Sequence, residues 1–208
     1  MEDAVAATGA RLSREARREQ LVTLGHDLVA ASSFEEVSVD DVAAEAGISR
    51  GLLFHYFPTK RDFQVAVAEH AAQLLLEATE TDPDATVTEQ LRGGVERFLD
   101  HVAARREAYL SLVRGAASGE PALRAVSERT RGVLVERVLD GVDVEPVPPA
   151  LRLVVRGWVA ASEEIVVTWL VDGGVGRDEI VDLIVGALLL QLGALLDEGD
   201  VARLLGTA

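Results

Sequence analysis

Apolar residues recur along this chain at helical spacing almost from end to end. Between Ser13 and Ala31 they fall at Leu21, Leu24, Leu28 and Val29, one stripe of a helix. A linker, SSFEEV, follows. Ser38 then opens a short helix, with Asp41 as its capping-box partner and Asp40 also in the first turn. Val39, Val42, Ala43 and Ala46 form its inner face, and Gly47 ends it. Ser49 caps a second short helix with Leu53, Phe54 and Phe57 as its apolar contacts, and Pro58 closes that one. Thr59 with Asp62 starts a longer helix reaching about Glu80.

Further on, TDPDAT is a turn cluster, after which Thr86 or Val87 opens a helix to about Arg106. GAASGEP, Gly115 to Pro121, predicts a break, and the next helix runs to about Leu139 before VEPVPP stops it. Two long apolar helices, about 150–171 and 177–197, close the chain across DGGVG. No strand alternation or internal repeat stands out. The expected fold is all-α, with about nine helices. A three-helix head at 13–60 follows a tail at 1–12 and is carried on a helical body at 61–208.

Composition narrows the function classes. The chain has 208 residues and no cysteine, which removes disulfides, thiolate metal sites and cysteine nucleophiles. The longest apolar run, Ile180 to Leu196, contains Asp182 and Gln191. A membrane span wants about 20 apolar residues, so this run reads as a buried helix and no membrane partner is expected. The N-terminal residues hold no apolar segment of signal-peptide length, and a cytoplasmic location is expected.

Net charge is −15, yet it is unevenly spread. Residues 11–61 carry seven cations against eight acids, while residues 62–208 carry 13 against 25. Such asymmetry suits a small nucleic-acid-touching head on an acidic body, but on charge alone the plainer reading, an acidic surface that keeps a protein in solution, is favoured.

The candidate chemistry lies in SVDDVAAEAGISRGLLFHYF, Ser38 to Phe57. Two short helices flank a tight turn at Gly47, with Ala43 small enough to let them cross and Ile48 plugging the crossing. This is helix-turn-helix spacing. The second helix would enter the DNA major groove leading with Ser49, Arg50, Gly51 and Leu52. Arg50 can pair with guanine, Gly51 allows close backbone approach, and Leu52 suits a thymine methyl. Lys60, the chain's one lysine, and Arg61 stand in the first turn after the Thr59 cap. Cations there oppose the helix dipole at a cost of about 0.3–1 kcal/mol each, and a phosphate nearby reverses the sign.

ISRGLLFHYFPTKRDF, preceded by VSVDDVAAEAG, resembles the DNA-binding head of the TetR family of regulators. The resemblance is specific over roughly residues 13–63. It implies that Ser38 touches a phosphate, that Arg50, Gly51 and Leu52 face bases, and that His55, Tyr56 and Lys60 hold the phosphate backbone. Leu52 replaces the more usual Thr, Ser or Ala, Phe54 replaces a common Tyr, and Ser33 stands where glycine often ends the first helix.

The body is where the family dimerises and holds an effector. The helix at about 150–171 is apolar over most of its circumference and needs burial on several sides. Gly157 and Ala161 on it, with Gly186, Leu189, Leu190 and Gly193 on the last helix, predict a four-helix homodimer interface. A two-fold dimer sets its recognition helices about 34–36 Å apart and reads a palindromic operator on double-stranded DNA. Phe98, Val102, Tyr109, Trp158 and Trp169 are the expected lining of a pocket for a small hydrophobic effector, with plain core filling by the same aromatics as an equal alternative. Glu163 and Glu164 interrupt an apolar helix and can meet a polar group there or face solvent. His26, His70 and His101 show no metal-ligand spacing, and no cofactor is expected. No Gly-rich phosphate loop, GxSxG elbow or HExxH is present, so catalysis ranks below regulation. A ligand-binding protein of the same fold without DNA affinity is the other alternative.

Overall fold

The computed structural model describes residues 13–31, 37–117, 120–197 and 199. The tail at 1–12, most of the SSFEEV linker with Ser33, and the last residues lie outside the described residues. Among the described residues there are nine helices and no strand. They are α1 (Arg14–Ala31), α2 (Val39–Glu45), α3 (Arg50–Tyr56), α4 (Lys60–Ala78), α5 (Val87–Ala104), α6 (Arg106–Ala117), α7 (Pro121–Val142), α8 (Pro149–Asp172) and α9 (Arg177–Leu195).

Local chemistry sets most of these boundaries. Ser38, Thr59 and Thr86 each accept the amide of the residue three positions on, and the Asp41, Asp62 and Glu89 carboxylates accept the cap amides in return. Hydrogen bonds from Ser38 and Thr86 hold the Asp41 and Glu89 carboxyls below the usual carboxylate range. Helix α2 ends at Gly47, whose φ of +63° is the left-handed conformation. The Ile48 amide then donates to the Ala43 carbonyl at 2.9 Å and the Gly47 amide to Ala44 at 3.1 Å, a Schellman closure. Pro121 and Pro149 start α7 and α8 at positions where no amide is needed.

Two boundaries differ from the sequence expectation. Helix α5 stops at Ala104, because Arg105 turns out of the helix (φ −130°, ψ 40°) with no glycine or proline to mark the place. Helix α6 then runs through Gly115 to Ala117, into the expected break. Gly115 acts here by its smallness: a Cβ on it would lie 3.2 Å from the Leu123 side chain of α7.

Two apolar clusters fill the interior. The head cluster contains Leu21, Val22 and Val29 of α1, Val42 and Ala43 of α2, Leu53 of α3, and Phe63, Ala66 and Val67 of α4. Ala108, Leu123 and Val126 of α6 and α7 join it, so the head is packed directly on the body. The body cluster is built from α5, α7, α8 and α9, with Leu75 of α4 against its side. The buried Trp158 indole N–H donates to the Ile184 carbonyl at 2.8 Å and ties α8 to α9. Helix α1 crosses α4 at Gly25, where an added Cβ would meet Phe63 at 2.4 Å and Val67 at 2.9 Å. Phe63 cannot swing away, since it is buried and packs edge-on against Phe57 at 5.1 Å.

His26 lies on the apolar face of α1 and is buried. Burial, then the neighbouring His70, hold its imidazole below the ordinary 6.5, with Asp27 pulling the other way. Burial, then Arg105, do the same for His101.

Two tests follow from this packing. Gly25→Ala should lower the melting temperature: helix propensity gains about 1 kcal/mol, but overpacking costs about 1–3 kcal/mol. An unchanged or higher value would refute the close crossing. Because both histidines titrate lower in the fold than in the unfolded chain, the unfolded chain takes up protons first as pH drops. Stability should therefore be full above the unfolded value of 6.5 and lost as pH falls through the folded values. Melting curves between about pH 7.5 and about pH 5.5, where histidines dominate titration, read this directly. A profile that stays flat would count against the burial of these rings.

Candidate nucleic-acid interface and effector cavity

The head presents its candidate DNA contacts at three helix starts and one helix end. Ser38 caps α2, Ser49 caps α3 and accepts the Leu52 amide at 3.2 Å, and Lys60 is the first residue of α4. Arg50, Gly51 and Leu52 form the first turn of α3 and are all exposed, Leu52 by 41%. His55 is exposed and Tyr56 half-buried at the other end of the same helix, their rings edge-on at 5.8 Å. Inward, Leu53 is fully buried and Phe57 almost so, which fixes which face of α3 turns outward. All eight sequence-selected residues thus lie on the α2–α3–α4 segment, and an added Cβ at Gly51 would meet nothing within 4 Å.

Two contacts here were not legible in the sequence. The Arg50 guanidinium pairs with Asp40 of α2 at 2.7 Å and lies over the Phe54 ring at 5.5 Å. Phe54, expected as an apolar contact and noted for a missing hydroxyl, is therefore also a platform that holds Arg50 at the surface. Arg61 pairs with Glu120, the cap of α7, instead of standing free beside Lys60. Charge arithmetic alone gives no partner; only the fold brings residue 120 to residue 61.

The body holds a partly open cavity of about 230 Å³, mostly apolar, between α1 and α4–α9. Phe98, Tyr109 and Trp158 line it. Phe98 and Tyr109 stack edge-on at 5.9 Å. Val102 and Trp169 are not among its lining residues. Val102 is fully buried in the body core, and the Trp169 indole donates to the Val175 carbonyl at the far end of α8. The two glutamates separate: Glu163 lines the cavity and pairs with Arg131 at 2.6 Å, while Glu164 faces solvent. Burial, and then Glu163, push the Tyr109 phenol far above its ordinary pKa, so it stays a neutral donor. The sequence reading did not select His26, His101, Arg105 or Ser162, all of which line the cavity. The available signal was a histidine on an apolar helix face, at the spacing Val22, His26, Val29. Among the described residues no group of three or more His, Asp or Glu side chains is placed to hold a metal ion.

The outer faces of α8 and α9 carry the third set. Gly157, Ala161, Leu190 and Gly193 are exposed, Leu190 by 79%, and Gly186 is half-buried. Leu153 and Leu183 extend this apolar face, exposed by 71% and 54%. Leu189 is half-buried and packs against the body core at the edge of that face.

The chain matches two sequence families. Residues 21–67 match the one described as bacterial regulatory proteins, tetR family, and residues 87–190 match the tetracyclin repressor-like C-terminal domain. The crystal structure of a tetR-family transcriptional regulator from Streptomyces coelicolor superposes with a TM-score of 0.83 at 30% identity, over 94% of this chain and 91% of that one. An uncharacterised HTH-type transcriptional regulator of Mycobacterium tuberculosis is 28% identical over 157 residues, 70% of this chain and 64% of the relative. The chain therefore spans just under two-thirds of that relative's length. The HTH-type transcriptional activator FasR of Mycolicibacterium smegmatis is 25% identical over 181 residues, 84% of this chain and 82% of FasR. With both halves matched and the nine-helix arrangement shared, the chain belongs to the TetR family of transcriptional regulators.

Proposed function

We propose that the protein is a ligand-responsive repressor that binds a palindromic operator as a homodimer in the cytoplasm. A small, largely apolar molecule in the body cavity releases it. The observation that carries the DNA reading is the exposed first turn of α3, where Arg50, Gly51 and Leu52 project while Leu53 and Phe57 anchor the helix. Seven-residue α3 is short, so its fixed presentation depends on packing and on the Ser49 cap more than on its own propensity. Lys60 at the start of α4 supports a phosphate beside it. Asp40 holds Arg50 ready in the free protein and competes with guanine for it.

Dimerisation is supported by the exposed apolar stripes of α8 and α9. Leucines this exposed on two adjacent helices, interleaved with Gly157, Gly186 and Gly193, fit a second copy of the same face. An added Cβ at any of these glycines meets nothing within 4 Å in one protomer, so their smallness is unused until a partner arrives. Release is supported by continuity: the second half of α4, from Ala68 on, lines the cavity, the same helix begins at Lys60, and Arg61 ties that beginning to the cap of α7. A ligand that favours one placement of α4 thereby biases the spacing of the two heads.

Gel shifts against genomic fragments test the DNA reading. Arg50→Ala should weaken the specific complex about 5- to 150-fold with the fold retained, the about 1–3 kcal/mol of one base contact. Asp40→Asn should tighten it. Gly51→Ala should leave melting unchanged or raised while weakening DNA binding. If wild type shifts no genomic fragment, the ligand-binding protein without DNA affinity becomes the better reading. Light scattering tests the dimer: wild type should have twice the chain mass at micromolar concentration, and Leu190→Glu should be monomeric. A monomeric wild type would remove the proposed interface.

A further inference from the structure

The charges lining the cavity run against the charge of the chain. In a protein of net charge −15, the wall holds Arg105, Arg131, Arg137, His26 and His101 but a single carboxylate, Glu163. Glu163 is occupied by Arg131, which also reaches Glu128 at 3.0 Å. Arg137 donates to the Leu76 carbonyl and to the Thr79 hydroxyl, both neutral. Arg105 has no side-chain hydrogen bond or ion pair among the described residues. The nearest acid to His26 is Asp27, 3.5 Å away on the solvent side of α1 and itself 69% exposed. The wall thus carries a surplus of positive charge in a largely apolar space, where a charge without a partner is expensive.

That surplus is not spread evenly. Helix α4 leaves the head and α5 returns toward it, so Thr79, Thr81 and Gln90 mark the distal end and His101 and Arg105 the end beneath α1. Two of these distal polar groups have partners within the protein: Thr79 donates to the Leu75 carbonyl at 2.9 Å and Gln90 to the Ala85 carbonyl at 2.8 Å. Between them the distal wall is aliphatic, with Leu75, Val87, Leu91 and Val138. The other end is the one left unsatisfied. Arg105 is unpaired there, and part-way along α8 the Ser162 hydroxyl, 8% exposed as a residue, lines the cavity with no hydrogen-bond partner. Unpartnered buried polar atoms are rare, and one facing a cavity points to a ligand atom that completes it.

We propose that the effector is an amphipathic anion whose acidic head lies against Arg105, His101 and His26 beneath α1 and whose aliphatic body fills the distal half of the cavity. This rests on the reading of the cavity as the effector site. Ser162 offers a hydrogen bond to the middle of such a molecule. Because His26 belongs to the DNA-binding head while His101 and Arg105 belong to the body, the anion bridges the two units. Its charge also favours the protonated form of both imidazoles, which burial otherwise suppresses. The volume of about 230 Å³ suits a slender chain, being a little under the about 300–1,000 Å³ of most small-molecule sites.

Isothermal titration of the full-length wild-type protein with decanoate, decanol and decylamine separates the possibilities. Decanoate should bind at least tenfold tighter than decanol, and decylamine weakest. Arg105→Gln and, separately, His101→Gln should shrink the decanoate preference to within about threefold, chiefly by weakening decanoate. The wild-type comparison needs no variant, so it stands even if one of these fails to fold. Equal binding of decanoate and decanol, tightest binding of decylamine, or a preference that survives Arg105→Gln in a folded protein would each overturn the anion assignment and leave the cavity reading intact. Failure of all three probes to bind would overturn the cavity reading, and this inference with it.

Discussion

Phe63 enters the head core from the first turn of α4, and one to two turns later Ala66, Val67 and Ala68 continue the same contact beneath α1. By Leu75 the same helix is packing against the body core. The arrangement depends on Gly25, since α1 reaches α4 this closely only where one helix has no side chain. With interiors packed near crystal density, a shift at one end of α4 is transmitted and not absorbed. The head is therefore not a bead on a string. It is the outer end of a helix whose inner end walls a cavity.

Seen from the sequence, this dependence was only half visible. The caps at Ser38, Ser49, Thr59 and Thr86 are local signals, read from a residue and its neighbour three positions on, and they place the helix starts well. Gly47 and Pro58 are equally local. The junction at Arg105 carries no such signal, because its turn is imposed by packing of α5 and α6 on different neighbours. Gly115 looked like a break and proved to be a contact, a distinction that depends on Leu123 of another helix. The same division holds at the candidate site. The recognition turn was legible because all its residues fall within one short stretch. The cavity was legible only in its aromatics, and the polar groups that distinguish it come from α1, α5 and α8, which no spacing rule connects.

Charge tells a similar story at two scales. Over the whole chain the acid excess lies in the body, and most described body arginines are engaged by carboxylates: Arg92 with Asp182, Arg129 with Glu69, Arg156 with Glu128, Arg177 with Asp100. Such exposed pairs each contribute only about 0–1 kcal/mol. Their effect is on the field: they leave the body outwardly acidic, which disfavours nucleic acid on that surface. Inside, the sign reverses. Arg105 and Arg137, which face the cavity, have no carboxylate partner among the described residues.

The solitary lysine has a consequence for chemistry outside the cell's own. Lys60 is exposed at the start of α4 and supplies the one ε-amine in a chain whose other basic side chains are arginine and histidine. Amine-directed acylating reagents and dyes therefore have one side-chain address on this molecule, and it lies on the face assigned to DNA. That side-chain amine, resolved from the chain's α-amine by its place in the sequence, is a built-in reporter whose reactivity would register occupancy of that face without any residue having to be introduced.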